Sequence, residues 1–327
     1  MAISTLLDHF KAIKDWASSN RAKVNLDVES FELEIRCANR YYNFFPQFSI
    51  LASGQLAYTR ALTSSAQGFC GWRPYVEYKT PLTVDKVLFK RYFSSQGLKV
   101  PAAWEAPEEC TGAYILKPKG GSFGEGIQGP FKPGQGVDRS KAPGDALFAD
   151  QFIVGRSVKV WLWGEKPVCA DIQEWPCIVG DGSTSIDGLI ENRLYGPGGS
   201  RFGANVELTE ACLRFQGFDG STVLDLGRSA WIDFRYGRNF LPPHATRNMP
   251  NRLSDLEEQC GAQLASAGAA VARALRQVVP APVVSSIDAV MDERGALWWL
   301  ELNSNPLFPH HGYNVMLDEL FARAVHS

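Results

Sequence analysis

Residues Ser285–His310 read SSIDAVMDERGALWWLELNSNPLFPH. Two apolar runs, 283–291 and 296–303, flank the polar segment Asp292–Gly295. Short apolar runs on either side of a glycine-containing turn are typical of paired antiparallel strands. The stretch therefore predicts a β-hairpin in the last part of the chain.

Three oxygen-bearing side chains lie on this predicted hairpin. Glu301 and Asn303 are two positions apart on the second strand, so both point to one face, and Asp288 lies on the neighbouring strand. Two carboxylates and an amide are the oxygen ligands that Mg²⁺ prefers, with phosphates and water completing its octahedron. The alternative is that Asp288 and Glu301 are solvent-facing residues of a half-buried hairpin.

A second stretch, AYILKPKGGSFGEGIQGPF at Ala113–Phe131, leads from an apolar strand into two lysines and a glycine-rich loop. Glycines let backbone N–H groups approach an anion closely because no Cβ intervenes, and the lysines add positive charge. The loop suits a polyphosphate, although it lacks the GKS or GKT ending of a P-loop. Taken alone, it is also typical of an ordinary hairpin connection.

The rest of the pattern predicts a mixed α+β chain. Apolar residues at helical spacing predict a long helix over 254–279 and shorter ones over 29–45 and 315–325. Another helix is predicted after Thr83, which is the expected N-cap. Residues 196–250 are rich in Gly, Pro and Arg, and we interpret them as long functional loops with two short strands.

Composition limits the classes of function. The chain has 327 residues, is 45% hydrophobic and carries a formal charge of −2, which argues against a broad nucleic-acid or membrane-surface role. No apolar run reaches the length of a membrane span, and the N-terminus lacks a signal-peptide pattern. Seven scattered cysteines without a CxxC pair predict reduced thiols in a cytoplasmic protein and argue against a zinc site.

Four segments, taken in order, resemble the ATP-grasp superfamily of carboxylate–amine ligases. DKVLFKRYFSSQGLKVP resembles the opening helix of that family, and ILKPKGGSFGEGI resembles its strand and lid loop. LFADQFIVGRSVKVWLWG resembles the hinge strand that cradles adenine, and IDAVMD with WWLELNSNP resembles the metal-binding hairpin. The matches span residues 81–310, and their joint order is more specific than any one of them.

The resemblance implies an α+β ATP-grasp fold, in which two lobes clamp ATP, preceded by a small N-terminal α/β domain. The implied division is 1–80 for the N-terminal domain and 81–327 for the ATP-grasp domain. Within the latter, a lid subdomain is expected over 110–150 and a central and C-terminal lobe over 151–327. The N-terminal residues are also a candidate dimer surface, so a homodimer is one expectation.

The resemblance also implies roles for particular residues. The expected nucleotide-binding set is Lys86, Lys117, Lys119, Gly120, Gly121, Ser122, Phe123, Gly124, Asp150, Gln151, Phe152, Ile153 and Ser157, the last at the place of the family's ribose-binding acid. The expected metal ligands are Asp288, Glu301 and Asn303, with Mg²⁺ or alternatively Mn²⁺ as the ion. Arg235 is expected to hold an acyl phosphate or tetrahedral oxyanion, and Lys159 to face phosphates or substrate. For both, a surface or structural role is the alternative.

Part of the chain is similar to a narrower group. PCIVGDGSTSIDGLIENR resembles a segment of cyanophycin synthetase and of the ATP-grasp module of bifunctional glutathione synthetase. The sequence departs from that group where Glu174–Cys177 replaces an arginine followed by V-P-A, and where Asn239–His244 replaces N-L-S-T-G-G. These departures fall on the substrate side, so both substrates stay open, whereas the phosphate and metal residues are kept.

The implied function is an ATP-dependent, ADP-forming ligase that makes an amide or peptide bond through an acyl phosphate. Its partners would be small amino-acid-like or peptide substrates, and its cofactors ATP and Mg²⁺. One alternative is an ATP-grasp kinase that phosphorylates a small molecule without ligation. Another is a nucleotide-binding module without turnover, against which the complete metal set argues.

Overall fold

The computed structural model describes residues 6–52, 55–119, 124, 126–135, 147–195, 205–237, 251–279 and 281–322. Within these ranges the chain forms six α-helices and fifteen β-strands, and the paired strands run antiparallel. This mixture of helices and antiparallel sheets confirms the predicted α+β class. The predicted loop residues Gly120–Phe123 lie outside the described ranges.

The N-terminal part is a helix packed on a five-stranded sheet. Its elements are α1 (Leu6–Ser19), β1 (Lys23–Leu26), β2 (Leu33–Cys37), β3 (Arg40–Ala52), β4 (Gln55–Thr59) and β5 (Ala66–Arg73). The helix predicted over 29–45 is therefore wrong. Leu33 and Ile35 are fully buried, whereas Glu34 and Arg36 pair with each other on the outer face. This alternation has the period of a strand.

A second sheet of four strands follows a helix. The elements are α2 (Lys86–Ser95), β6 (Ala103–Trp104), β7 (Tyr114–Pro118), β8 (Gln128–Phe131) and β9 (Leu147–Gln151), with the strands in the order β6-β9-β7-β8. Asp85, not Thr83, caps α2, because its carboxylate accepts the N–H groups of Val87 and Leu88. Thr83 ends the short 3₁₀ turn that precedes the cap.

The central sheet contains the predicted hairpin. Its strands are β10 (Arg156–Trp163), β11 (Lys166–Gln173), β14 (Val284–Met291) and β15 (Leu297–Ser304), in the order β11-β10-β14-β15. The long helix α5 (Leu253–Leu275) packs its apolar side on one face of this sheet, together with Phe89 and Phe93 of α2. The opposite face carries Trp161 and Trp163.

Smaller elements complete the described fold. They are β12 (Cys177–Val179), α3 (Ile186–Tyr195), α4 (Val206–Gln216), β13 (Ser229–Trp231) and α6 (Tyr313–Ala322). The interpretation of 205–216 as loop is wrong, because Asn205 caps α4 and the helix ends at Gly217 with φ +85°. Leu208 and Cys212 are buried four positions apart, as the inner face of a helix requires.

The N-terminal sheet and the central sheet share one hydrophobic core. Ile13 of α1 and Phe44 of β3 belong to the same buried cluster as Trp161, Trp163 and Tyr313. The first sheet ends at Arg73, close to the predicted domain boundary at residue 80, but its core continues into the central lobe. The division into two domains therefore stays a prediction.

Candidate active site

Asp288, Glu301 and Asn303 lie on one face of the β14–β15 hairpin. Asp288 is the direct cross-strand partner of Glu301. The Nδ2 of Asn303 donates a hydrogen bond to Oδ2 of Asp288 at 3.0 Å. The carboxylate side chains of Asp288 and Glu301 are 17% and 26% exposed, so they are shielded but reachable.

A β-bulge in this hairpin turns Glu301 toward the site. After the pair Asp288–Glu301 the register shifts, so that Ala289 faces Trp299 and Leu300 is the extra residue. Trp299 is 1% exposed and packs in the core under α5. Because of the extra residue, Trp299 stays in the core while Glu301, two positions later, points to the opposite face.

Asp288 and Glu301 are each paired with a different lysine. Lys86, the first residue of α2, places Nζ 3.2 Å from Oε2 of Glu301. Lys159 on β10 is the cross-strand neighbour of Asp288, and its Nζ lies 2.5 Å from Oδ1. Both lysine side chains are about as shielded as the carboxylates, with 14% and 15% exposure. The sequence regions around 86, 159, 288 and 301 therefore meet at one place.

The two facing carboxylates differ in their electrostatic environment. Burial raises the pKa of Asp288, and the nearby charge of Glu301 adds to this against the opposing effect of Lys159. Burial alone would also raise the pKa of Glu301, but three lysines hold it below its ordinary value. These lysines are Lys86, Lys117 and Lys159. Two carboxylates that repel each other favour a cation between them.

A further buried carboxylate lies across the sheet on β11. Asp171 is the cross-strand neighbour of Lys159 on the side opposite Asp288. It is 1% exposed, and its Oδ2 accepts hydrogen bonds from Gln173 at 2.6 Å and from the hydroxyl of Tyr236 at 2.8 Å. Sequence reasoning missed this residue, because the strand 166–173 shows no polar motif that marks it.

Lys117 is held by a buried ion triad that the sequence did not reveal. Lys90 and Lys117 bind opposite oxygens of the single carboxylate of Asp150, with Lys90 Nζ 2.7 Å from Oδ1. All three residues are nearly inaccessible, with 4%, 6% and 1% exposure. Lys90 also donates to the carbonyl of Pro101 at 3.0 Å, and burial lowers its pKa to about 8. Two cations on one carboxylate leave one positive charge, which suits an anionic ligand.

Arg235 is positioned by a buried carboxylate. Its Nε contacts both oxygens of Asp233, and its Nη2 donates to Oδ2 at 2.6 Å. The side chains are 9% and 1% exposed, so Arg235 is not a surface residue. Gly124 of the glycine-rich loop lies against it, since a Cβ built on Gly124 would come within 2.9 Å of the Arg235 Cδ.

Backbone hydrogen bonds hold the predicted hinge, Asp150–Ile153, against neighbouring segments. The N–H groups of Gln151 and Phe152 donate to the carbonyls of Ala102 and Ala113, both at 2.8 Å. The ring of Phe152 stacks on Trp175 with centroids 5.6 Å apart. These contacts fix the course of the chain at the hinge, and binding of adenine by Asp150–Ile153 stays a prediction.

The predicted ribose residue, Ser157, is buried, and its role in ribose binding stays a prediction. Ser157 is 6% exposed, and its hydroxyl accepts the indole N–H of Trp175 at 3.2 Å and donates to the carbonyl of Phe234 at 3.4 Å. Its contacts in the structure are therefore those of a packing residue. Lys119 is exposed, and its carbonyl accepts the N–H of Lys86 at 3.2 Å, which joins the start of the glycine-rich loop to α2.

The donor set suits magnesium with a phosphate ligand. Within the described ranges, no group of three or more His, Cys, Asp or Glu side chains is arranged to hold a metal ion. A metal at the hairpin would therefore rest on two carboxylates, the amide of Asn303 and oxygens of its ligand, which is the usual pattern for Mg²⁺ with a nucleotide. Over the same part of the chain, no helix is long and apolar enough to span a membrane.

Comparisons with known proteins give similarities at the level of structure alone. No protein-family model and no curated protein matches the sequence. Among solved structures, a bifunctional glutathione synthetase from Pasteurella multocida is 17% identical with a TM-score of 0.45, over 98% of this chain and 44% of that one.

Two further structures are similar over a shorter span. The VanG D-Ala:D-Ser ligase from Enterococcus faecalis is 14% identical with a TM-score of 0.38, over 74% of this chain and 61% of that one. A D-alanine–D-alanine ligase from Bacillus anthracis in complex with ATP is 13% identical with a TM-score of 0.35, over 75% and 63%. The chain thus spans less than two thirds of the length of each of these proteins.

Proposed function

We propose that the chain is an ATP-dependent carboxylate–amine ligase of the ATP-grasp type, acting on amino-acid-like substrates. One observation carries the proposal. Lysines from three separate segments converge on two facing carboxylates and an amide at one face of the central sheet. Such a balanced set of cations and hard oxygen ligands is what a magnesium–polyphosphate requires.

The triphosphate would bind between the lysines and the glycine-rich loop. Lys86 stands at the N-terminus of α2, where the helix dipole adds to its positive charge. Lys117 carries the surplus charge of its triad and lies close enough to lower the pKa of Glu301. The backbone N–H groups around Gly124 would close over the phosphates and exclude water. The hinge Asp150–Ile153 would lie along adenine.

Asp288, Glu301 and Asn303 would hold Mg²⁺, with each side chain offering oxygen. The ion would supply charge neutralisation to the transferring phosphoryl group. The lysines now paired with Asp288 and Glu301 would then turn to phosphate oxygens. Because Lys86 and Lys159 reach the site from different elements, they would contact the nucleotide from two sides.

The proposed reaction has two steps. A substrate carboxylate oxygen attacks the γ-phosphorus, the bond from that phosphorus to the bridging oxygen breaks, and ADP leaves with the electron pair. The nitrogen of an amine then attacks the acyl carbon, loses its proton, and displaces inorganic phosphate to leave an amide. Arg235, oriented in advance by Asp233, would stabilise the acyl phosphate and the tetrahedral oxyanion. Positioning and charge neutralisation would supply most of the rate.

The test is a matrix of the twenty amino acids, each offered as acid and as amine with Mg·ATP. A ligase releases ADP at a high rate only when both partners are present, and the product mass equals their sum less water. An acid labelled with ¹⁸O in its carboxylate should transfer one label to inorganic phosphate, because that oxygen attacks phosphorus.

The other outcomes contradict the ligase in different ways. ADP release with a single substrate and a stable phosphorylated product would identify a kinase. ATP binding without ADP release from any pair would identify a nucleotide-binding module. A homodimer and a cytoplasmic location stay predictions that this assay does not address.

A further inference from the structure

Arg73, at the end of β5, is a buried arginine. The residue is 3% exposed, and its Nη2 donates to the carbonyl of Pro306. Its Nε and Nη1 are buried and have no hydrogen-bond partner. Among the residues that the structure describes, no carboxylate forms an ion pair with it. A guanidinium stays charged at any ordinary pH, so this charge is not removed by loss of a proton.

A buried charge without a partner is costly for the folded state. An apolar side chain of the same length would fill this space without that cost. The carbonyl of Pro306 satisfies one of three nitrogens and contributes only a partial negative charge. The other two nitrogens keep unused hydrogen-bonding capacity, and an anion is the partner that such charged donors bind best.

Gln47 on β3 lies beside Arg73. The register pairs Phe45 with Arg73 and Gln47 with Gly71, so Gln47 and Arg73 share one face of the sheet. Gly71 lies between them, and the hydroxyl of Tyr313 and the Cβ of Phe308 pack over it. Gln47 is 2% exposed and donates its Nε2 to the carbonyl of Asn305 at 3.4 Å. Its Oε1 is buried and has no partner. One face of the sheet thus carries unpaired donors and an unpaired acceptor.

Both residues are anchored close to the hairpin that carries the site. Gln47 and Arg73 bind successive carbonyls of the segment that leaves β15, and Pro306 follows Asn303 by three residues. Three residues span at most about 11 Å when fully extended. Asn305 itself has φ +49° and bonds to both backbone groups of Tyr78, which fixes this segment in place.

We propose that Arg73 and Gln47 bind the head group of an α-amino acid substrate. Arg73 would donate to the carboxylate, and the Oε1 of Gln47 would accept from the ammonium group. The bound amino acid would react through another of its groups, which the short distance to Asn303 brings toward the metal hairpin. This inference deepens the proposed ligase function and rests on it, because it names the class of one substrate.

The test measures binding without ATP. Thermal unfolding of the whole chain is recorded with each of the twenty amino acids and with the corresponding α-amides. For the wild type, at least one amino acid should raise the melting temperature by about 2 °C or more, and its amide should not. The N-acetyl form of that amino acid should also lose the effect, since the ammonium group is gone.

Arg73→Met should fold, and without added amino acid it should be at least as stable as the wild type, because an unpaired buried charge is removed. The difference between acid and amide should disappear. Arg73→Lys should keep the charge but lose the planar fork, and the shift should become smaller. The matched control is Arg276→Met. Arg276 also donates to a backbone carbonyl, that of Ala272, but it is exposed, so its loss should leave the shift unchanged.

Three outcomes overturn the inference. They are an equal shift in Arg73→Met, no acid–amide difference for any amino acid in the wild type, and unfolding of both Arg73 variants, which would make the residue a structural anchor of Pro306. A failed ligase assay is distinguishable from these. If ADP release fails but the acid–amide difference holds, the amino-acid subsite stands and the ligase proposal falls.

Discussion

Asp288 and Glu301 face each other directly across the hairpin, yet each carboxylate is bound to a different lysine. Lys86 comes from α2 and Lys159 from β10, so two independent elements neutralise one pair of acids. Because each carboxylate is paired with one lysine, the net charge of these four side chains is close to zero. Under the proposed function, a bound nucleotide would exchange partners with these lysines without a large rearrangement of the sheet.

Glu301→Gln should abolish ADP formation and leave the fold intact. The substitution removes an ionised metal ligand but no core contact, since Glu301 points away from the core that holds Trp299. We expect a loss of about 10²-fold or more in kcat at saturating Mg²⁺. The control is Glu293→Gln in the exposed turn of the same hairpin, which should keep full activity. Normal turnover of Glu301→Gln would refute the metal assignment.

Lys117→Met should weaken ATP binding without unfolding the protein. Asp150 would still be neutralised by Lys90, whose Nζ lies 2.7 Å from it, so no buried charge would be left alone. Titration calorimetry should show affinity for ATP reduced by about tenfold or more, as expected for the loss of a charge-assisted contact. Lys166→Met, which removes an exposed lysine paired with Glu319, is the matched control. Unchanged affinity in Lys117→Met would mean that this lysine serves only Asp150.

Gly124→Ala should slow catalysis through Arg235. Gly124 has φ +67°, and an added Cβ would come within 2.9 Å of the Arg235 side chain. Alanine at a left-handed position costs roughly 1–2 kcal/mol in any case. Gly134→Ala separates the two effects, because Gly134 has φ +76° with nothing within 4 Å of the added atom. We expect kcat to fall in Gly124→Ala and to be unchanged in Gly134→Ala, and equal kcat values in both would contradict a contact with Arg235.

Acid should destabilise the protein through His9. Burial lowers the pKa of His9 to about 3, and its Nδ1 lies 3.0 Å from the hydroxyl of Tyr313. Between pH 6.5 and that value the unfolded chain binds a proton that the folded chain does not. The free energy of unfolding should therefore fall by up to roughly 1.4 kcal/mol per pH unit from this group as the pH is lowered.

The measurement is urea unfolding of wild type and His9→Gln between pH 4 and 8. At pH 8, His9 is neutral in both states, so the difference there reports the lost ring contacts, which include Tyr313 and Phe69. Below pH 6.5 the variant should lose stability less steeply than the wild type. Parallel curves for the two proteins would show that His9 does not contribute to acid sensitivity.

The hairpin of the site was predictable because its signals are local. The turn Asp292–Gly295 and the spacing of Glu301 and Asn303 lie within twelve residues of one another, and the structure has β14 and β15 where they indicate. The bulge at Leu300 was not predictable, since it depends on how Trp299 fits under α5.

Other parts of the site depend on distant partners. Asp150 is bound by a lysine sixty residues earlier, so no local pattern marks Lys90 as its counter-ion. The missed helix α4 is a different case, because Asn205 and Gly217 stand at its ends as cap signals. The Gly, Pro and Arg content of residues 196–250 predicted loops, although these two cap residues indicated a helix. The helix wrongly predicted over 29–45 shows that period-two alternation at Leu33 and Ile35 deserved more weight.

The aromatic cluster between the first sheet and the central sheet makes the two sheets depend on each other for burial of their side chains. Trp161 and Trp163 of β10 are covered by α1 and its neighbours, and Tyr313 joins the same cluster from the far end of the chain. Grafting the central sheet onto another scaffold without this cover would expose large aromatic surfaces and promote aggregation. Substitutions at Ile13 or Phe44 should therefore be tolerated only together with compensating changes at the tryptophans, because all four side chains pack in one cluster.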